Sequence, residues 1–324
     1  MQLAFNDPSA LDRAAAPAAS PSSLAPGGAG AVAVAAPRSV GVDANGGLSW
    51  LDAAALAAAE ATVTNDGRLR VPGVAEPLPL AFLGSDAATR APRWALCLPT
   101  DAPPPASLRV AMLDLRAAAA SSMPAADLGA AGTAAALAGW HASSSYCGRC
   151  GAPTLPVDAG TRRACAAGHK AYPRTDPVAI ALVASPDGGA ALLARPRGGS
   201  RYGATFMTCI AGFVEAGESV EAAVAREAKE ETGVAVARAA LVGSQAWPPG
   251  RSGCCELMLG CAAVASTTAI TLCEAELEAA AWYPRADVAA ALAGRGPFAP
   301  PPPWTMAGQL MRAWVDGEGV WSRL

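Results

Sequence analysis

The feature that most constrains this chain is a glutamate-rich segment, residues 212–234, which is GFVEAGESVEAAVAREAKEETGV. It holds six glutamates in twenty-three residues, whereas only 16% of the whole chain is charged. Apolar residues recur at helical spacing from Val220 onward. Ser219 precedes them as a good N-cap, and Gly233 follows as a natural C-terminal stop. The segment therefore predicts a helix over residues 219–232.

The predicted helix gathers three carboxylates on one side. At about 100° per residue, Glu227, Glu230 and Glu231 fall within an arc of about 100°. Carboxylates this close repel one another unless cations lie among them, and Mg²⁺ or Mn²⁺ prefers oxygen ligands of this kind. Two interpretations follow: a solvated acidic helix face, or a site for divalent cations.

The residues around the helix fit the pattern G-x5-E-x7-R-E-U-x-E-E-x-G-U. The residues at its specified positions are Gly212, Glu218, Arg226, Glu227, Ala228, Glu230, Glu231, Gly233 and Val234. This pattern is the Nudix box, so the chain resembles the Nudix hydrolases, although Ala228 stands where a larger aliphatic residue is usual. The resemblance implies an α+β fold with a Nudix α/β/α sandwich, and hydrolysis of a nucleoside diphosphate linked to another group.

The same resemblance implies a set of ligands for Mg²⁺ or Mn²⁺. The residues concerned are Ala211, through its backbone carbonyl, and Glu227, Glu230, Glu231 and Glu276. Glu230 serves in this scheme as a ligand or as the general base. Arg226 orients a glutamate through a salt bridge. Glu227, Glu230, Glu231 and Arg226 are the implied catalytic residues.

Upstream of the box, cysteines lie at a zinc-binding spacing, Cys147-x2-Cys150-x14-Cys165. Related ribbons usually have a fourth cysteine shortly after the third, but the segment CAAGHKAYP has none. His169 lies in this segment and is a competent zinc ligand. The expected structural Zn²⁺ site is therefore Cys147, Cys150, Cys165 and His169. The alternative is a ribbon that has lost its metal.

Two further segments narrow the resemblance. The segment SQAWPPGRSGCCELMLG, residues 244–260, resembles the S-Q-P-W-P-F-P-x-S array of NADH pyrophosphatases, although Ala246, Pro249 and Gly250 depart from it. The segment AYPRTDP, residues 171–177, joins the ribbon to the first Nudix strand as in that subfamily. The chain is thus similar to zinc-ribbon NADH pyrophosphatases of the plant-like branch, which implies that NAD(H) and water yield AMP and NMN(H).

The subfamily resemblance also implies a pocket for the dinucleotide substrate. The residues it would place there are Tyr172, Phe213, Gln245, Trp247 and Ala307. Phe213 can stack on the nicotinamide ring, since aromatic stacking on a base contributes about 1–3 kcal/mol. For Phe213 and Trp247, the alternative is ordinary core packing.

Two rival functions remain open at this point. One is another Nudix activity, on ADP-ribose, CoA or NAD-capped RNA. The other is a non-catalytic zinc-ribbon interaction module on a relic Nudix fold. The net charge of −3 argues against a generally basic nucleic-acid binder, so RNA is an expected partner only if it is NAD-capped.

The sequence predicts four parts. These are an N-terminal α+β domain at 1–139, a zinc ribbon at 140–174, a Nudix domain at 175–316 and a targeting tail at 317–324. Within the first part, residues 14–46 are rich in Ala, Pro, Gly and Ser, which predicts loop or disorder.

Three local patterns predict elements within the Nudix domain. Asp187-Gly188-Gly189 predicts a hairpin turn, and a final helix is predicted from about Met306. The segment ITLCEAELEAAAWY, residues 270–283, predicts a strand, an acidic turn and another strand.

The final tripeptide, Ser322-Arg323-Leu324, is a close variant of the peroxisomal address S-K-L. It predicts peroxisomal localisation through the import receptor. No apolar run reaches the roughly 18 residues needed to span a bilayer, so no membrane association is expected. A homodimer is expected from the family resemblance alone.

Overall fold

The computed structural model describes residues 11–12, 30–35, 39–42, 48–64, 68–98, 104–248, 250–251, 255–318 and 321. The chain divides into two compact units. The unit called N-terminal here lies within Ala4–Thr175 and Ala246–Glu256. The unit called C-terminal lies within Asp176–Gln245 and Leu257–Leu324.

The N-terminal unit begins with a mixed sheet and three helices. Its elements are β1 (Leu11–Asp12), β2 (Gly30–Ala35), β3 (Ser39–Val42), β4 (Trp50–Asp52), α1 (Ala53–Ala58), β5 (Thr62–Val63), β6 (Leu69–Arg70), β7 (Leu80–Asp86), β8 (Pro92–Leu98), β9 (Ala111–Asp114), α2 (Leu115–Ala120) and α3 (Ala125–Ser143). The sheet order is β1-β7-β8-β2-β3-β9, and β4 also pairs with β2. Trp94 and Leu96 of β8 are fully buried in its core, and α3 contacts β7 and β8.

The loop or disorder predicted for residues 14–46 is wrong for the segments that form β2 and β3. Strand β2 pairs in parallel with β8, and β3 pairs antiparallel with both β2 and β9. The two sequences, GAVAVA and SVGV, place valine between small residues, a pattern compatible with strands. Their alanine and glycine content is not typical of strands, so the composition did not predict them. They form strands because they pair with segments distant in sequence. The rest of 14–46 lies outside the described residues.

Three short strands form the ribbon sheet of the same unit. They are β10 (Thr154–Val157), β11 (Arg162–Cys165) and β12 (Lys170–Ala171), all paired antiparallel. The turn between β10 and β11 packs on β7, where Phe82 donates its backbone N–H to Ala159 O at 2.8 Å. Gly160 has φ +76°, and a Cβ there would lie 2.0 Å from Leu80 O. Glycine is therefore required at this contact between the ribbon and the sheet.

The C-terminal unit is built around a second sheet. Its elements are β13 (Thr175–Ala184), β14 (Ala190–Pro196), β15 (Ile210–Phe213), α4 (Val220–Thr232), β16 (Val236–Trp247), β17 (Cys255–Ala265), β18 (Leu277–Pro284), α5 (Arg285–Leu292) and α6 (Met306–Asp316). The sheet order is β16-β17-β13-β14-β18, and β15 pairs with β13. The predicted hairpin is confirmed, because β13 and β14 pair antiparallel around residues 185–189. The helix predicted from Met306 is likewise confirmed as α6.

Helices cover both faces of this sheet. Ile180 and Leu182 of β13 pack in a core with α5 and α6, whereas Ala181 and Val183 pack in a core with α4. Successive residues of one strand point to opposite faces, so a strand buried on both sides is apolar throughout. The expected α+β class with an α/β/α sandwich is confirmed.

The helix predicted over residues 219–232 is confirmed as α4. Ser219 Oγ accepts the backbone N–H of Ala222, and Gly233 ends the helix at φ 72°, donating its N–H to Lys229 O. No described helix has the length and apolar character that crossing a membrane requires.

Candidate functional site

Three carboxylates converge at helix α4. One carboxylate oxygen each from Glu227, Glu231 and Glu276 lie within 4.8 Å of one another. Glu227 and Glu231 are one helical turn apart, so they share a face. Glu231 is 7% exposed, which makes mutual repulsion costly in the absence of a cation. This donor set fits a hard divalent cation.

Glu276 reaches the cluster because the segment before it folds onto the end of α4. The backbone N–H of Thr271 donates to Thr232 O at 2.8 Å, and that of Cys273 donates to Glu231 O at 2.9 Å. The first strand predicted within residues 270–283 is therefore wrong. Its N–H groups bond to the last carbonyls of the helix, which lack intrahelical partners. The second predicted strand is confirmed as β18.

Arg226 organises the carboxylates around the cluster. Its guanidinium donates from Nε and Nη2 to the two oxygens of Glu218, both at 2.9 Å. Nη1 donates to Glu227 at 2.7 Å and to Glu230 at 2.9 Å. Nη2 also donates to the backbone carbonyl of Phe213 at 2.8 Å. One arginine thus fixes one carboxylate of the cluster and two beside it.

The electrostatics of this network favour the charged forms. Hydrogen bonds that Arg226 donates to Glu218 first, and then to Glu227, raise the pKa of Arg226 above its usual value. The hydrogen bond from Arg226 holds the pKa of Glu218 below its usual range. The bidentate Arg226–Glu218 pair has the planar geometry in which charge-assisted bonds are strongest.

Gly212 on β15 gives the Glu227 carboxylate its space. A Cβ at this position would lie 2.0 Å from Glu227 Cδ. Glycine is therefore required at the first position of the box, because the Glu227 side chain lies too close for a Cβ. Its φ is not in the left-handed region, so backbone freedom is not the reason.

The two other predicted metal ligands lie outside the carboxylate group. The Glu230 side chain is 56% exposed and bonds to Arg226. Ala211 is half-buried on β15, next to Gly212 and paired with Ile180. Glu218 is a residue that the site prediction omitted. Its fixed position in the box, eight residues before Arg226, could have indicated that Glu218 belongs to the site.

Gln245 is buried and holds the start of α6. Its Nε2 donates to Trp304 O at 3.0 Å, and its Oε1 accepts the backbone N–H of Met306 at 2.7 Å. The side chain is 1% exposed. Ala307, in the first turn of α6, is also buried, and its carbonyl accepts from Cys209 Sγ. Gln245 therefore positions the helix segment that contains Ala307.

The three aromatic residues predicted for the pocket differ in their surroundings. Phe213 on β15 is 39% exposed, so it is not an ordinary core residue. Tyr172 belongs to the N-terminal unit, and so does Trp247, because the last two residues of β16 are assigned to that unit. Trp247 is half-buried beneath the guanidinium of Arg116, and the more exposed Tyr172 lies beneath that of Arg162. Their proposed contact with substrate stays a prediction.

The predicted zinc ligands form a compact group in the ribbon. Ligand atoms of Cys147, Cys150, Cys165 and His169 lie within 4.8 Å of one another. The Cys150 and Cys165 sulfurs are 3.8 Å apart, and Cys147 Sγ is 3.7 Å from His169 Nδ1. Zn–S bonds of about 2.3 Å in a tetrahedron place two sulfurs about 3.8 Å apart. These two distances fit a tetrahedral Zn²⁺ site.

The backbone around the ribbon also favours a thiolate. The pKa of Cys147 is lowered to about 6, first because the Arg149 N–H donates to its sulfur and then because the Cys150 N–H does so. Thiolate is the form that binds metal. The ribbon and its cysteine group are consistent with a structural zinc.

Family models match two segments of the chain. Residues 174–301 match the NUDIX domain, and residues 142–168 match the NADH pyrophosphatase zinc ribbon domain. The second match contains all three cysteines of the ribbon group and ends just before His169.

Curated relatives share these segments. Nudix hydrolase 19, chloroplastic, of Arabidopsis thaliana is 46% identical over 52% of this chain and 38% of its own length. The NAD-capped RNA hydrolase NUDT12 of Macaca fascicularis is 36% identical over 58% of this chain and 42% of its own. The mitochondrial NAD(P)H pyrophosphatase NUDT13 of Homo sapiens is 36% identical over 65% of this chain and 59% of its own.

The chain thus spans about two-fifths to three-fifths of the length of these relatives. Both matched segments coincide with the geometry described above: the ribbon with the Cys–His group, and the longer segment with the carboxylate cluster and Arg226. The chain therefore contains a Nudix domain preceded by an NADH pyrophosphatase zinc ribbon domain.

Proposed function

We propose that this chain hydrolyses the diphosphate bond of NADH and NAD⁺, giving AMP and NMNH or NMN. The observation that supports this most strongly is the cluster of Glu227, Glu231 and Glu276 beside Arg226, in a chain with an NADH pyrophosphatase zinc ribbon. The names of relatives such as NAD(P)H pyrophosphatase NUDT13 agree with this substrate.

The cluster would hold Mg²⁺ or Mn²⁺ through Glu227, Glu231 and Glu276, with the Ala211 carbonyl as a further ligand and Glu230 as a ligand or the general base. Such ions, when bound, supply neutralisation of diphosphate charge and lower the pKa of a water nucleophile. Arg226 keeps the Glu227 carboxylate aimed at the cluster through its 2.7 Å hydrogen bond.

Glu230 is proposed as the general base. Its exposed carboxylate can meet substrate and water, and its bond to Arg226 restrains it without burying it. A base must lie within hydrogen-bond reach of the proton that it removes, so this restraint matters for the rate. Bond formation between a water oxygen and phosphorus would release the water proton to Glu230, as the bond between phosphorus and the bridging oxygen breaks.

Phe213, Tyr172, Trp247 and Ala307 are proposed to contact the dinucleotide. The exposed ring of Phe213 suits stacking on the nicotinamide. Gln245 is proposed to act by positioning, because its amide is buried and holds the start of α6.

Product analysis with the purified chain tests the substrate. NADH, NAD⁺, ADP-ribose and CoA are incubated in parallel with Mg²⁺ or Mn²⁺, and the nucleotides are separated by chromatography. AMP and NMNH, with NADH preferred, support the proposal. Preference for ADP-ribose or CoA would contradict the dinucleotide substrate and implicate Ala246, Pro249 and Gly250. No turnover of any substrate would favour the non-catalytic module.

NAD-capped RNA is a second candidate substrate, because the relative NUDT12 is named an NAD-capped RNA hydrolase. The cap presents the same diphosphate bond. A 5′-NAD-capped oligonucleotide competing with NADH tests it. Cap removal with a kcat/KM above that for free NADH would make RNA the preferred substrate, whereas the net charge of −3 favours the free dinucleotide.

The zinc site is proposed as Cys147, Cys150, Cys165 and His169. Metal analysis of the purified chain is expected to find one Zn²⁺, which Cys147→Ser loses and Cys255→Ser keeps. Cys255 is the matched control, because it lies outside the ribbon group. A chain purified without zinc and folded normally would contradict the assignment.

Peroxisomal localisation and import-receptor binding are proposed on Ser322-Arg323-Leu324, which lie outside the described residues. Two of the relatives are named as chloroplastic and mitochondrial, and these are the competing destinations. A reporter protein ending in residues 317–324 is expected to enter peroxisomes, and one ending in Leu324→Asp is not. A cytosolic reporter would contradict the proposal.

A homodimer is also proposed, in line with the family resemblance. Light scattering on the eluted protein would give twice the mass of 32.2 kDa. A single-chain mass at micromolar concentration would contradict it.

A further inference from the structure

A cavity of about 410 Å³ lies within the N-terminal unit. Its wall includes Arg163 and His141, the buried thiol of Cys97, and apolar side chains such as Leu78 and Leu98. This volume is in the range of small-molecule sites, and its wall combines apolar surface with a few polar groups. The lining residues belong to the N-terminal unit, whereas the carboxylate cluster belongs to the C-terminal unit.

Arg163 is a buried cation that neutral groups hold in place. The residue is 6% exposed. Its Nε and Nη2 donate to Oγ1 and O of Thr154, both at 2.8 Å, and Nη1 donates to His141 Nδ1 at 2.9 Å. These three bonds use three of the five N–H groups of a guanidinium.

His141 is a neutral partner. Its Nε2 lies 2.8 Å from Gly160 O, a carbonyl that can only accept, so Nε2 has the proton and Nδ1 accepts from Arg163. Burial first, and the charge of Arg163 in addition, lower the pKa of His141 to about 4. The histidine therefore supplies a hydrogen-bond acceptor to Arg163 but no negative charge.

The charge of Arg163 has no counter-ion among the part of the chain that the structure describes. No carboxylate there forms an ion pair with it. Cys97 interacts with Arg163, but burial raises the pKa of this thiol to about 12, so it stays neutral. Arg68, a second cation, is also close enough to interact with Arg163. Buried charges in proteins are ordinarily paired, because an isolated ion is expensive to desolvate. Arginine cannot relieve this cost by losing its proton.

We propose that the cavity binds a small organic anion, with an oxoanion head group on Arg163 and a short apolar body against Leu78 and Leu98. One N–H group on Nη1 and one on Nη2 remain for the head group, and guanidinium N–H groups form charge-assisted hydrogen bonds with a carboxylate or phosphate. The ligand supplies the counter-charge that the fold omits.

The cavity wall also includes a carboxylate, that of Glu76, which could affect the binding of an anion. Glu76 lines the cavity but is exposed, which places it at the opening rather than beside Arg163. A negative charge there opposes anion entry and is not a substitute for the ligand. Neutralising Glu76 should therefore strengthen binding.

The test uses exposed positions at the opening, because Arg163 itself holds the ribbon strands to α3 and its loss would confuse binding with folding. Ala142 lines the cavity and is exposed, so Ala142→Phe narrows the entrance without changing the core. Calorimetric titration of the full zinc-loaded chain, without Mg²⁺ or Mn²⁺, uses benzoate and phenyl phosphate as anions and benzamide as the neutral control.

Benzoate or phenyl phosphate is expected to bind at least about tenfold more tightly than benzamide, because the guanidinium bonds are charge-assisted. The better of the two anions identifies the head group. Ala142→Phe should abolish this binding, and Glu76→Gln should strengthen it by a few fold. The proposal would be overturned if benzamide bound as tightly as the anions, or if neither anion bound. It would also be overturned if Ala142→Phe left anion binding unchanged, or if Glu76→Gln weakened it. Because no diphosphate is hydrolysed in this assay, its outcome is independent of the proposed function.

Discussion

Arg226 and Arg163 are both held by several hydrogen bonds, yet their surroundings have opposite charge. Arg226 bonds to three carboxylates, Glu218, Glu227 and Glu230. Arg163 bonds to a hydroxyl, a carbonyl and a neutral imidazole. The first arginine orients acids that we propose as part of a metal site. The second joins the ribbon to the helix before it and leaves its charge uncompensated.

The two units therefore leave charge of opposite sign uncompensated. In the C-terminal unit, three carboxylates around Arg226 leave excess negative charge, which favours binding of further cations. In the N-terminal unit, Arg163 leaves excess positive charge, which favours binding of an anion. An uncompensated charge thus points to a ligand of opposite sign in each case.

The largest expected effect comes from the carboxylate cluster. Glu231→Gln should lower kcat for NADH hydrolysis by about 10²–10³-fold, because it removes a charged ligand from a buried site. Initial rates at saturating Mn²⁺ measure this. Glu221→Gln, an exposed change on the same helix, is the matched control and should keep its rate. Equal rates in all three proteins would show that the cluster has no catalytic role.

The neutral state of His141 predicts a pH dependence of stability. Its pKa in the folded chain is about 4, below the usual 6.5, so the unfolded chain binds the proton more readily between these values. The free energy of unfolding should be undiminished above about pH 6.5 and fall by about 3 kcal/mol as the pH drops to about 4.

Denaturant titrations across this pH range measure that effect. His141→Gln can keep a donor to Gly160 and an acceptor for Arg163, so it should fold but lose this part of the pH dependence. The same acid sensitivity in both proteins would mean that His141 is not a buried neutral histidine.

Arg226→Lys tests whether orientation matters beyond charge. Lysine keeps the positive charge but cannot bond to both oxygens of Glu218 and also reach Glu227. We expect kcat to fall by roughly tenfold or more, with a higher Mn²⁺ concentration needed for half-maximal rate, as carboxylates lose their alignment. A lower rate with an unchanged Mn²⁺ requirement would argue that Arg226 does not position the metal ligands.

Arg163→Lys should have the smallest effect on stability. It removes the paired bonds to Thr154, so the free energy of unfolding should fall by about 1–2 kcal/mol. Arg162→Lys is the matched control, because Arg162 forms an exposed ion pair with Asp158 and should lose less than about 1 kcal/mol. Equal losses would show that the buried bonds of Arg163 add nothing.

Sequence patterns predicted the C-terminal unit far better than the N-terminal one. Helix α4 has its cap, apolar stripe and stop within fifteen residues, Ser219 to Gly233, so local signals were sufficient. The clustering of Cys147, Cys150, Cys165 and His169 was predictable because the cysteine spacing is typical of zinc ribbons, with His169 as the nearest substitute for the missing cysteine.

The remaining features depend on contacts between segments distant in sequence. Strand β2 is stabilised by pairing with β8, which lies far away in the sequence. No local pattern in either segment reveals this pairing. Residues 270–273 were predicted as a strand because their bonds to the end of α4 depend on the chain turning back. Arg163 lies in an ordinary two-arginine sequence, and only the packed fold shows that it is buried without a carboxylate.

The most direct test of the central claim is a metal titration of NADH hydrolysis by the purified chain. AMP release is followed while Mn²⁺ is added to chain freed of loosely bound metal, and then while a chelator removes the ion. We predict that AMP and NMNH appear in equal amounts, that the rate saturates with Mn²⁺ and that the chelator abolishes it. AMP release that persists without any divalent ion, or no AMP at any Mn²⁺ concentration, would contradict the account.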